Sequence, residues 1–218
     1  DIEMALTGTM PFRWDPAYGA RIGLLHRGRA REGAQPIWFD IPLCYVFHIM
    51  NAWDDGAAGG DARFVWLDAG RHASMWDGGP DKFEPCMLHR WRFDLQTGTV
   101  HEEQLDDVSH AFPRIDDRRC GLTNRYGWAV APLEPNDRRF EAPSGVVKYD
   151  LQTGQCWEHH LGDGVRGAEP VFAPASPTAG EDEGWVISLS HDTRSDESRL
   201  LIIDAQNFTA PPVAVVHL

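Results

Sequence analysis

Along the chain, apolar residues come in short runs separated every few positions by glycine, proline or charge. Arg21-Ile-Gly-Leu-Leu, Phe64-Val-Trp-Leu, Gly127-Trp-Ala-Val, Val146-Val-Lys-Tyr, Gly184-Trp-Val-Ile-Ser-Leu and Leu200-Leu-Ile-Ile are rich in β-branched and aromatic side chains. Each is strand-sized, and none sustains the 3.6-residue apolar period of an amphipathic helix over three turns. The pattern predicts an all-β chain.

Superimposed on it is a repeat. Arg90-Trp-Arg-Phe-Asp-Leu-Gln-Thr-Gly98 recurs as Val147-Lys-Tyr-Asp-Leu-Gln-Thr-Gly154 and, more loosely, as Leu201-Ile-Ile-Asp-Ala-Gln-Asn207. A second element, Gly127-Trp128 and Gly184-Trp185, keeps step about twenty residues upstream of Asp150 and Asp204. The aspartate and glycine suit a tight turn: one hydrogen-bonds nearby backbone, the other tolerates positive φ. A repeat of about 50 residues built from short strands is the mark of a β-propeller blade, and about four such units fit this length. The rival is a β-sandwich with coincidental turns. Segments 54–61 and 174–184 are, by composition, solvated loops and not linkers, so residues 1–218 are expected to be one domain.

Composition narrows the chemistry. The 218 residues carry 33 acids and 20 bases, a formal charge of −13 with no basic cluster, and that field disfavours nucleic acid. The longest apolar runs are far too short for a spanning helix. Cys44, Cys86, Cys120 and Cys156 form no C-x-x-C pair, so reduced thiols and a cytoplasmic location are expected. The start at Asp1 and the end inside Pro212-Val-Ala-Val-Val-His-Leu218 suggest part of a longer protein, truncated at both ends.

No G-x-S-x-G elbow, phosphate loop or H-E-x-x-H spacing is present. Ten histidines are. His72, His101, His159 and His160 lie among acids and glycines and are expected at the surface. His48 differs: Pro42-Leu-Cys-Tyr-Val-Phe-His-Ile-Met-Asn-Ala-Trp53 surrounds it with apolar residues, where an imidazole needs a hydrogen-bond partner or a metal. Glu169, in Gly167-Ala-Glu-Pro-Val-Phe172, is expected to be buried and hydrogen-bonded.

Six blocks in order carry a resemblance. They are Met10-Pro-Phe-Arg-Trp-Asp-Pro16, Gly19-Ala-Arg-Ile-Gly23, Tyr45 to Gly56, Ala111-Phe-Pro-Arg-Ile-Asp116 with Arg125-Tyr-Gly127, Ala168 to Pro174, and Glu183 to Leu189 with Leu201 to Ala205. Together they resemble the carotenoid cleavage oxygenase family, which includes carotenoid and apocarotenoid cleavers and lignostilbene dioxygenases. The resemblance implies a seven-bladed β-propeller, of which this chain covers roughly four blades, with Fe(II) on its axis held by four histidines. His48 falls on the third ligand and Glu169 on a glutamate that orients a ligating imidazole. Ala111 stands where a second such glutamate is expected, with His110, Asp107 or water as substitutes. Phe47, Trp53 and Phe112 are candidates for a substrate lining.

The implied reaction is dioxygen-dependent cleavage of a carbon–carbon double bond in a carotenoid, apocarotenoid or stilbene-type substrate, giving two carbonyl products. One ligand of four implies that these 218 residues alone hold no stoichiometric iron and are inactive. The alternative is an inactive propeller serving as a binding scaffold. Nucleic-acid partners and transmembrane segments are not expected, while peripheral membrane contact stays open.

Overall fold

Fifteen strands account for nearly all regular structure in the computed structural model, which describes residue 6 and residues 12–56, 61–77, 84–131 and 145–218. Residues 10 and 11 of the first resembling block, and 57–60 of the expected loop 54–61, lie outside the described residues.

The strands form four antiparallel sheets in chain order. A two-stranded sheet pairs β1 (Ala20–Leu24) with β2 (Ile37–Ile41). Two four-stranded meanders follow: β3 (Tyr45–Asp54), β4 (Phe64–His72), β5 (Cys86–Asp94) and β6 (Thr99–Gln104), then β7 (Ala111–Arg114), β8 (Tyr126–Ala131), β9 (Gly145–Asp150) and β10 (Gln155–His160). In the last sheet β11 (Val165–Gly167) and β12 (Val171–Pro174) both pair with β13 (Gly184–Asp192), which continues to β14 (Glu197–Asp204) and β15 (Ala214–His217).

Three hydrophobic cores lie between successive sheets. Phe39 packs with Leu67, Ala69, Trp91 and Phe93; Met50 and Leu88 pack with Ile115, Ala129, Val147 and Tyr149. Trp128 and Val146 pack with Phe172, Val186, Leu201 and Ile203. Neighbours on one strand, such as Val146 and Val147, thus serve different cores. A sheet covered on both faces explains why the sequence shows apolar runs where a half-solvated sheet would alternate. Successive meanders stacked face to face are the blades of a β-propeller, three of them nearly complete and one represented by β1–β2.

The repeated turn is the same structure three times. Asp94 Oδ1 accepts from Gln96 and Thr97 N–H at 2.9 and 3.2 Å, Asp150 Oδ1 from Gln152 and Thr153 at 3.0 and 3.3 Å, and Asp204 Oδ1 from Gln206 and Asn207 at 2.8 and 3.0 Å. Gly98 and Gly154 close the first two at φ +69° and +71°. Arg63 and Arg125 hold Asp94 and Asp150 across each hairpin at 3.0 and 2.6 Å, which lowers both carboxyls to about 2.

The upstream Gly-Trp match does not survive. Register pairs Asp94 with Phe64, Asp150 with Tyr126 and Asp204 with Trp185, so Trp185 is equivalent to Tyr126, two residues before Trp128. Trp128 is fully buried and Trp185 is exposed. Two other expectations change. His72 and His159 are buried, their Nδ1 atoms held by the carbonyls of Glu84 and Phe208 at 2.7 and 2.9 Å; His101 and His160 are exposed as expected. Segment 174–184 is pinned to the neighbouring blade: Glu181 accepts from Arg125 N–H and pairs with Arg119, while Asp182 pairs with the buried Lys148. Glu181 and Asp182 looked solvated because their cations lie 34–62 residues away in sequence, while Glu183 and residues 175–178 are exposed as expected.

Candidate functional site

Two strands, β3 and β7, lie side by side at the inner edge of their blades, and both lose their regular pairing at the same level. In β3 the register passes from Val46–Arg71 to Ile49–Ala69, setting Phe47 and His48 against the single residue Gly70. In β7 it passes from Ala111–Val130 to Arg114–Trp128, setting Phe112 and Pro113 against Ala129. Each is a two-against-one bulge, a device that re-aims side chains. Phe112 has φ +51°, a conformation costing about 1–3 kcal/mol for a side-chain-bearing residue.

The bulges bring the His48 and Phe112 rings together, centroids 4.8 Å apart. They open a cavity of about 300 Å³ lined by Phe47, His48, Phe112, Ala111, Met75 and Trp76, with His72, Cys86 and Pro113 completing the wall. Trp76, at φ +56°, stacks edge-on against Phe47 and Tyr45. Thus two of the three non-glycine positive-φ residues among those described belong to one cavity wall. Strain gathered in one place marks a site that packing elsewhere has to sustain.

The structure brings together His48, Phe47, Phe112 and Ala111. It does not bring Trp53, which lies six residues further along β3: Trp53 is buried, stacks on Trp66 at 6.1 Å and lies under the Arg90 guanidinium. Asn51 is likewise a fastener. Its amide bonds the Leu122 carbonyl and Asn124 side chain at 2.8 Å each and accepts from Gly121 N–H, tying β3 to the next blade. So the residues around His48 hold its strand, while His48 itself is exposed to the cavity.

Glu169 is elsewhere. It is not buried as expected: it stands between β11 and β12, 45% exposed at its side chain, with Oε1 2.7 Å from Arg114 Nη1. Ala111 is buried against Val130 and leaves no carboxylate beside His48. Neither proposed substitute lines the cavity. Asp107 is exposed. His110 is wholly buried between the two blades, its ring edge-on to Tyr149 and its Nε2 turned towards Gly70. Burial pushes its pKa down to about 4. A Cβ on Gly70 would come within 2.5 Å of Cys86 Sγ and 3.3 Å of His110 Nε2, so glycine is required opposite the His48 bulge.

His72, Met75 and Trp76 were missed as site residues because nothing local marks them. His72 Nδ1 donates to the Glu84 carbonyl, which can only accept, and burial lowers the pKa of the ring. Among the described residues no three or more His, Cys, Asp or Glu side chains cluster as a metal site. What is present fits one corner of a neutral-ligand site: an imidazole in an apolar cavity whose lining has no carboxylate, in a chain of charge −13. Among the described residues no helix is long and apolar enough to cross a membrane, and all four cysteines are free thiols.

Comparisons with known proteins agree with one another. The family model described as retinal pigment epithelial membrane protein matches residues 1–218. A carotenoid cleavage oxygenase of Mycobacterium tuberculosis is 33% identical over 216 residues, covering 96% of this chain and 42% of that protein. An Arabidopsis thaliana carotenoid 9,10(9′,10′)-cleavage dioxygenase is 29% identical over 99% of this chain and 41% of its own length. Isoeugenol monooxygenase of Pseudomonas nitroreducens is 27% identical over 95% and 45%. Cobalt-substituted Synechocystis apocarotenoid oxygenase superimposes with a TM-score of 0.82 at 24% identity, over 94% of this chain and 42% of that one. The chain therefore spans about two-fifths of the length of these relatives.

Proposed function

Because the chain belongs to the retinal pigment epithelial membrane protein family, which holds the carotenoid cleavage oxygenases, we propose that it works within a longer polypeptide as a non-haem Fe(II) dioxygenase. The reaction inserts dioxygen across an alkene and releases two carbonyl compounds. The observation that carries this reading is the strained, carboxylate-free cavity into which the two bulges turn His48.

His48 would contribute one neutral nitrogen ligand. Iron so held would supply the binding and reduction of dioxygen, chemistry that no side chain of the cavity can perform. The chain's own residues bind, orient and exclude water. Phe47, Phe112, Trp76 and Met75 offer flat or polarisable surfaces to a conjugated alkene, and an apolar wall keeps water from a reactive centre. The Phe112 ring beside His48 fixes how closely the double bond approaches. Substrate is a carotenoid or apocarotenoid polyene, or a smaller phenolic alkene of the kind named in isoeugenol monooxygenase. The scaffold alternative has no observation in its favour.

The test is direct. Full-length protein reconstituted anaerobically with Fe(II) is offered a carotenoid, an apocarotenoid and isoeugenol in air. Loss of the conjugated absorbance with two carbonyl products from at least one substrate is expected; stoichiometric iron without any cleavage overturns the reading. Residues 1–218 alone are expected to retain no stoichiometric iron and to be inactive, and one iron per purified 218-residue chain sinks the ligand count.

A further inference from the structure

The bulge in β7 has a second effect. By inserting one extra residue it places Ala111 and Arg114 on the same face of the strand, opposite Val130 and Trp128. That is the face that carries Trp128 into the core shared with the following blade. Arg114 is thereby aimed across the gap between blades, where its Nη1 donates to Glu169 Oε1 at 2.7 Å and its Nη2 to Asp117 Oδ1 at 3.1 Å.

Glu169 has little other freedom. The preceding residue is held on both sides: Ala168 N–H donates to the Leu189 carbonyl at 2.9 Å, and the Ser188 hydroxyl donates to the Ala168 carbonyl at 2.8 Å. Pro170, which follows, is buried and fixes its own φ. With the backbone set, what remains is the side-chain rotamer. A guanidinium can settle it, because its planar fork reaches two carboxylates at once and fixes direction as well as charge.

We infer that Arg114 is a positioning residue for the metal centre, holding Glu169 in one rotamer through Oε1 so that Oε2 is presented to the N–H of an iron-ligating imidazole. This rests on the reading of Glu169 given above and extends it to a residue from a different blade. Arg114 touches neither substrate nor metal; it acts through Glu169. One strained strand then serves the site twice, through Phe112 at the cavity and through Arg114 at the outer carboxylate.

A double-mutant cycle tests this in full-length apo-protein, by anaerobic Fe(II) titration with melting temperature measured alongside. Glu169→Gln and Arg114→Gln are each expected to weaken Fe(II) affinity about 10-fold or more, the range for partners of metal ligands. The double variant is expected to be no weaker than Glu169→Gln, because the arginine has nothing left to position. Multiplicative losses in the double variant, or wild-type affinity in Arg114→Gln beside a weakened Glu169→Gln, overturn the inference while leaving the role of Glu169 standing. Wild-type affinity in Glu169→Gln fells that role, and the inference with it. Should Arg114→Gln fail to fold, Arg114→Lys runs the same cycle. It keeps the charge without the fork, and intermediate affinity supports positioning where full recovery overturns it.

Discussion

The outer hairpin turns and the inner strands of the blades obey opposite rules. At the outer turns one arrangement is used three times, with Asp94, Asp150 and Asp204 each accepting from two following backbone N–H groups. At the inner edge regular pairing gives way instead. Strands β3 and β7 carry bulges, Phe112 and Trp76 have positive φ, and His110 is an imidazole buried completely. The difference teaches that the regular part of each blade builds the ring, and the departures from regularity aim the side chains. Strain costing about 1–3 kcal/mol per residue persists because two neighbouring cores over-determine the strands that bear it.

If the inner edge is functional and the outer turns structural, substitutions there should separate activity from stability. The largest effect is expected from His48→Ala in the full-length protein: iron retention and turnover lost, with the melting temperature nearly unchanged because the ring is exposed and belongs to none of the three hydrophobic cores. Iron retained with at least a tenth of wild-type activity would show that His48 is not a ligand.

Acid unfolding sharpens the comparison through pH. His110 is pushed from 6.5 to about 4 chiefly by burial, so between those values the unfolded chain binds the extra proton. Stability is full above about pH 6.5 and falls as pH drops towards 4, by on the order of 3 kcal/mol from this residue. His72 and His89 are lowered in the same direction, again chiefly by burial. Asp94 and Asp150 are lowered to about 2 by their arginines, so their contribution persists above about 3.8 and is lost as pH falls through 2. Urea unfolding across pH 7 to 3 should therefore show the inner loss first, and His110→Phe should flatten that upper limb. An unchanged slope in this variant would separate the acid response from His110.

Ala111→Glu comes next. A carboxylate on the cavity wall near His48 is expected to tighten Fe(II) binding about 10- to 100-fold, measured by anaerobic titration. Unchanged or weaker affinity, with wild type already tight, would mean that the alanine is compensated and that the new charge costs more than it contributes.

The smallest effects belong to the turns and differ among themselves. Asp150→Ala removes two backbone hydrogen bonds and the Arg125 pair, an expected loss of about 2 kcal/mol. Asp204→Ala removes the two backbone bonds alone, about 1 kcal/mol. Iron affinity should not move in either. Equal losses in urea unfolding would show that the arginine adds nothing.

What the sequence determined by itself was whatever a few adjacent residues decide. The Asp-x-x-x-Gly turns were legible because the aspartate bonds backbone two and three residues on, and the strand runs because a two-sided sheet needs continuous apolar residues. His48 was legible as a polar ring in an apolar run, and the family resemblance gave it a role. Tertiary structure alone decided the rest, because register and facing come from partners far along the chain. The Gly-Trp match failed when pairing with Asp204 shifted Trp185 two places from Trp128. Trp53 left the cavity because it stands six residues, about 20 Å, further along β3 than Phe47, opposite Trp66. Glu169 acquired Arg114 from 55 residues away, and His72 from the end of β4 entered the wall with Met75 and Trp76 just after it. In β3 a bulge inserts a residue that no local residue type announces, since pairing with a strand further along the chain decides it.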